Sequence, residues 1–102
     1  MKYKQRPGIV LTKICNYNVL IPARSAYPEC TKVRQLPFIW AATWNLLSKD
    51  NPEEDIMQVH RILTKRSDEE IRERLERFYK EMYEAGFLIP EEEAETEQRA
   101  DE

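Results

Sequence analysis

The stretch Ser67-Asp68-Glu69-Glu70-Ile71-Arg72-Glu73-Arg74-Leu75-Glu76-Arg77-Phe78-Tyr79-Lys80-Glu81-Met82-Tyr83-Glu84-Ala85-Gly86 carries a full set of helix signals. Ser67 and Glu70 form a capping box, in which the hydroxyl accepts the Glu70 N–H and the carboxylate reaches back. Ile71, Leu75, Phe78 and Met82 recur at i, i+4, i+7 and i+11, one apolar stripe that needs a core to face. Gly86 ends the helix as a left-handed cap. Arg72, Tyr79 and Tyr83 fall on one flank of the stripe, Arg74, Arg77 and Glu81 on the other.

Working back from that helix, two more are expected. Asp50-Asn51-Pro52 starts one that runs to about Leu63, with Ile56, Val59, Ile62 and Leu63 as its buried face and Asp50 or Asn51 as its cap. Pro37 suits the first turn of another, over Phe38 to Lys49, with Trp40, Thr43, Trp44 and Leu47 at helical spacing. Ahead of Pro37 the pattern changes to strands. Ile9 to Cys15 and Tyr17 to Ile21 are β-branched runs, and the short Asn16-to-Asn18 junction reads as a tight hairpin. Ala23 to Glu29 is a loop, and Thr31 to Leu36 alternates into a third, exposed strand. Phe87 to Ile89 is a short extended segment after the last helix, and Pro90 closes the domain. The fold class is α+β: a three-stranded antiparallel sheet followed by three helices, in the order β-β-β-α-α-α. The domain spans residues 1–89, and residues 90–102, nearly all acidic and polar, are expected to be a disordered tail.

Charge is segregated along the 102 residues, with +7 over residues 1–49, −4 over 50–89 and −6 over 90–102. The N-terminal half therefore suits an anionic partner although the chain as a whole carries −3. No apolar run is long enough for a membrane span, and no apolar h-region stands behind Met1-Lys2-Tyr3-Lys4-Gln5-Arg6-Pro7 to make a signal peptide, so a soluble, cytoplasmic protein is expected.

Motifs for chemistry are missing. The chain has two glycines, Gly8 and Gly86, hence no phosphate-cradling loop and no nucleophile elbow. Cys15 and Cys30 lack the short spacings of a zinc site and read as small buried thiols. The one histidine, His60, has no base or nucleophile near it in sequence and reads as a surface or boundary residue. The acidic clusters Glu53-Glu54-Asp55 and Asp68-Glu69-Glu70 sit in first helical turns, where the helix dipole accounts for them. No enzyme activity, metal or cofactor is expected, and recognition is left.

Lys32, Arg34 and Gln35, set between Val33 and Leu36, suit an ordinary edge strand guarded by its charges. They equally suit a template on which a partner peptide adds a strand.

The order of segments from Gly8 to Ile89 resembles the PqqD family of peptide chaperones, the RiPP recognition elements. The resemblance rests on Gly8-Ile9-Val10-Leu11, Val19-Leu20-Ile21, Val33-Arg34-Gln35-Leu36, Thr43-Trp44-Asn45-Leu46-Leu47, Glu53-Glu54-Asp55-Ile56, Ser67-Asp68-Glu69-Glu70-Ile71 and Tyr83-Glu84-Ala85-Gly86-Phe87-Leu88-Ile89. It departs at Pro37, where the family often has a polar residue, and in the long loop from Pro22 to Glu29. The resemblance implies a winged helix-turn-helix domain without catalysis. Such a domain binds the leader region of a precursor peptide as an added strand between its third strand and third helix. It then presents the peptide to a modifying enzyme, often a radical SAM protein. Carried onto this chain, the peptide site falls on Thr31, Lys32, Val33, Arg34, Gln35 and Leu36 of the strand. On the helix it falls on Arg72, Arg74, Leu75, Phe78, Tyr79 and Met82. Spacing alone leaves open which helix flank borders the groove. Two other readings stand beside this one: a winged helix that binds DNA, and a non-catalytic subunit docked on another protein. An exposed Trp or Tyr on the sheet would mark the latter.

Overall fold

The computed structural model of the protein describes residues 3–23, 32–49 and 52–91. Its elements are β1 (Tyr3–Gln5), β2 (Ile9–Ile14), β3 (Tyr17–Pro22), β4 (Arg34–Leu36), α1 (Phe38–Leu46), α2 (Pro52–Thr64), α3 (Asp68–Ala85) and β5 (Leu88–Pro90). A three-stranded antiparallel sheet, ordered β2-β3-β4, and three helices make an α+β fold.

Cys15 and Asn16 close the β2–β3 hairpin, both at positive φ (48° and 70°), the geometry that suits the right-handed twist of the strands. Its register sets the hydrogen-bond parity of the whole sheet. Ile14 pairs with Tyr17 next to the turn, and Ala23 N–H still donates to the Gly8 carbonyl (2.6 Å) at the far end. Because directly opposed pairs alternate between bonded and non-bonded, Tyr17, Val19 and Ile21 bond to β2 while Asn18, Leu20 and Pro22 turn their backbones towards β4. Leu20 meets Arg34 and Asn18 meets Leu36.

That parity corrects the expected third strand. Extended backwards, the register would place Lys32 opposite Pro22, which has no N–H to give, and the ladder stops at Arg34. Lys32 and Val33 are exposed and lie outside the strand, and Thr31 lies outside the described residues. The expected caps Asp50 and Asn51, Cys30, the loop from residue 24 and the tail from residue 92 lie outside them as well.

A second correction is an additional sheet. Tyr3–Gln5, which the sequence does not mark as a strand, pairs antiparallel with β5, matching Tyr3 to Pro90 and Gln5 to Leu88. Pro90 therefore belongs to a strand, the last element among the described residues. Arg6 N–H donates to the Phe87 carbonyl (3.0 Å), Arg6 Nε to that of Gly86 (2.7 Å), and Gln5 Nε2 to that of Trp44 (2.6 Å). The Tyr3 ring meets Tyr79 and Tyr83 at centroid distances of 6.1 and 5.7 Å.

α3 is built as its sequence predicts. Ser67 caps it by accepting the Glu70 N–H (3.3 Å), the Glu70 carboxylate lies 3.4 Å from the Ser67 hydroxyl, and Gly86 takes φ 92°. Ile71, Leu75, Phe78 and Met82 are all buried. Arg61 clamps Asp68 with two parallel hydrogen bonds (2.8 and 2.9 Å), fixing the angle between α2 and α3 and holding the Asp68 carboxyl below its usual range. α1 ends at Leu46, earlier than expected, and its last turn tightens as Ser48 and Lys49 N–H groups reach back three residues.

The buried face of α2 differs from expectation. Ile56 faces the core, but its companions are Met57 and His60, while Ile62 and Leu63 stand 62% and 51% exposed. The core joins Leu20 and Leu36 of the sheet, Ala41, Trp44 and Leu47 of the α1 segment, the α2 pair Ile56 and Met57, the α3 stripe, and Phe87 and Leu88. No helix among the described residues is long and apolar enough to cross a membrane.

Candidate peptide groove

β4 is an edge strand, and the parity above decides what that edge offers. Arg34 and Leu36 direct their N–H and C=O groups at β3, so the backbone of Gln35 points away from the sheet. Beside this edge runs a groove of about 460 Å³, lined by Arg34, Leu36, Pro37, Trp40, Arg66, Arg74, Arg77, Phe78 and Glu81. The pairing of Arg34 Nη2 with Glu81 Oε2 (3.1 Å) ties the strand to α3. The floor is aromatic: Trp40 stacks on Phe78 with centroids 4.5 Å apart and planes 18° from parallel. Arg74 lies over the Trp40 ring at 5.9 Å, in cation–π range.

Of the twelve residues carried over from the sequence, the groove collects Arg34, Leu36, Arg74 and Phe78. Gln35 does not line it but is exposed on the edge strand between the lining residues Arg34 and Leu36. Arg72, Leu75 and Tyr79 lie on the opposite flank of α3, around a hollow shared with Glu53, Ile56 and Met57 of α2. Tyr79 belongs to the aromatic contact with Tyr3, and burial, helped by the Glu53 carboxylate, pushes its phenol up to about 12. Met82 is fully buried core. The flank bordering β4 is thus the one carrying Arg74, Arg77 and Glu81. The groove residues outside the carried-over set are Pro37, Trp40, Arg66, Arg77 and Glu81; Trp40 escapes the sequence reading because its helical spacing before Trp44 matches a core position, and both tryptophans do pack on the core, but Trp40 keeps one side open.

Beneath Trp40 lies a buried polar pair that corrects the reading of His60 as a boundary residue. His60 is fully buried, with its ring 5.0 Å from that of Trp40. The Thr43 hydroxyl donates to the Ile39 carbonyl (2.8 Å), which leaves its oxygen to accept from His60 Nε2 (2.8 Å). The histidine is therefore the neutral Nε2–H tautomer, and Nδ1 is a bare lone pair without a donor. Burial, and next the Arg74 charge, lower its pKa from the usual 6.5. A depressed histidine pKa means the unfolded chain takes up the proton first. Stability is then complete above pH 6.5 and falls as pH drops through that value, with a slope of at most about 1.4 kcal/mol per pH unit. The chain has no other histidine, so a His60→Gln variant should show a nearly flat stability between pH 5.5 and 7 in urea titrations, where the wild type slopes.

Cys15 is exposed at the hairpin tip, against the expectation of a buried thiol. Among the described residues no group of three or more His, Cys, Asp or Glu side chains is placed to hold a metal ion. No protein-family model matches the chain, and searches of curated proteins and of solved structures likewise found no match.

Proposed function

We propose that this protein is a non-catalytic peptide-capture domain, of the winged helix-turn-helix kind that its resemblance to the PqqD family suggests. An extended segment, the leader region of a ribosomally made precursor, adds as a strand to the free edge of β4, lies in the groove against α3, and is carried to a modifying enzyme such as a radical SAM protein. The observation that carries this reading is the unpaired edge at Gln35 opening onto a groove with an aromatic floor and arginine walls. Main-chain pairing supplies affinity with little regard for sequence, and pockets supply selectivity.

The DNA-binding reading is less well supported. The exposed residues of α3 include Glu69, Glu70, Glu73, Glu76, Glu81 and Glu84 against Arg72, Arg77 and Lys80, a poor face for phosphates.

A docking role is favoured by one observation and is compatible with peptide capture. The outer sheet face carries Val10, Thr12, Ile14, Tyr17, Val19, Ile21 and Gln35 without a single charge, and Tyr17 is 57% exposed. Titration with peptides selected from a displayed random library, followed by amide shifts, tests the proposal. Shifts should concentrate at Gln35 and along the Arg74 to Glu81 flank of α3. Shifts limited to β2 and the hairpin tip would overturn it.

A further inference from the structure

The groove has more cation than its own carboxylates satisfy. Four arginines line it, with Glu81 as the one lining carboxylate. Arg66 is engaged by Glu70 (3.2 Å) and Arg34 by Glu81 (3.1 Å). Arg74 and Arg77 form no ion pair with any described residue. An arginine fork is shaped to grip a carboxylate through two donors, and the only acid within the groove holds the strand arginine at its rim. The Arg34–Glu81 pair also spans the space between β4 and α3, which an added strand must enter. Both its side chains are 40% exposed or more, so water screens the pair and little holds it closed.

Resting on the peptide-capture reading, we infer that Glu81 stands in for a ligand carboxylate. Arg34, Arg74 and Arg77 form the subsite for an acidic side chain of the bound peptide, and Glu81 yields Arg34 to it. Side chains two apart on a strand point the same way. With one of them seated on the Trp40–Phe78 floor, the next on that side reaches the arginines. The preferred ligand is therefore an extended peptide in which an aspartate or glutamate is separated by one residue from a large apolar side chain.

The test uses a displayed library of random 12-residue peptides, selected on the full chain. The most enriched peptide is then measured on the wild type, on Glu81→Gln and on the double variant Arg74→Gln, Arg77→Gln. Selected peptides should carry the acid-x-apolar spacing in either direction. Glu81→Gln should bind three- to tenfold more tightly, and the double variant at least tenfold more weakly. Changing the peptide acid to its amide should remove the Glu81→Gln gain. Thermal melts within a few degrees of the wild type show that the variants fold. Peptides that shift Gln35 and α3 amides but show no acidic preference, or an unchanged or weaker Glu81→Gln affinity, overturn this inference and leave peptide capture standing. Recovery of no peptides, or of peptides that bind away from the groove, overturns both.

Discussion

Gln35→Pro should strongly weaken strand addition while leaving the domain folded. Proline is tolerated on an edge strand where its missing N–H would have faced solvent, and the pairing of Leu20 with Arg34 and of Asn18 with Leu36 puts Gln35 at such a position. The same residue is the one whose N–H an incoming strand would use. Losing that bond costs about 0.5–1.5 kcal/mol, and the ring blocks close approach of the added backbone as well. A drop in affinity of about tenfold or more is expected, since about 1.4 kcal/mol is a factor of ten. Arg34→Pro is the contrasting variant. Its N–H points at β3, so the substitution leaves the Leu20 carbonyl without a donor and should lower stability by about 1–3 kcal/mol. Isothermal titration with a library-selected peptide, beside a urea melt of each variant, separates the two effects. Undiminished binding by Gln35→Pro would place the peptide somewhere other than this edge.

Deleting residues 1–6 should cost the protein a large share of its stability. β1 supplies the partner strand for β5, whose Leu88 and Ile89, like Phe87 before them, are fully buried. The N-terminal segment also provides the Arg6 bond to the Gly86 carbonyl, the Gln5 bond to Trp44 and the Tyr3 ring beside α3. Exposing one large apolar side chain costs about 1.5–3 kcal/mol. Exposing three of them halfway costs about 2–5 kcal/mol, a large share of the about 5–15 kcal/mol available to a small domain. A broad, weakly cooperative thermal transition is expected by circular dichroism. A truncated chain that melted within a few degrees of the full chain would show that β1 is dispensable.

These expectations differ in how far they were visible in the sequence. α3 was legible from end to end because its signals are local: a cap, a 3.6-residue period and a terminal glycine all lie within twenty residues. The hairpin was nearly as plain. β1 was not, because Tyr3-Lys4-Gln5 is three residues long and owes its conformation to Leu88–Pro90 at the other end of the chain. α2 misled because apolar side chains occur around more than one face. The burial of His60 follows from Thr43 and Trp40 on α1, which no spacing within α2 reveals. At the groove, residue types were read more reliably than directions. Arg34, Leu36, Arg74 and Phe78 were named and do meet, whereas Tyr79 and Arg72 were named with them and face α2. The flank that opens is decided by where β4 lies across α3, and that position depends on a register cut short at Pro22.

The ladder between β1 and β5 has a topological consequence. Tyr3 stands opposite Pro90, so the described chain is close to a closed ring. A short linker across that seam would allow new ends to be opened elsewhere, and circularly permuted versions cut at the Cys15–Asn16 tip become reasonable to make. For a larger polypeptide the same seam means a single point of attachment: the domain can be inserted into a host loop, both connections leaving side by side.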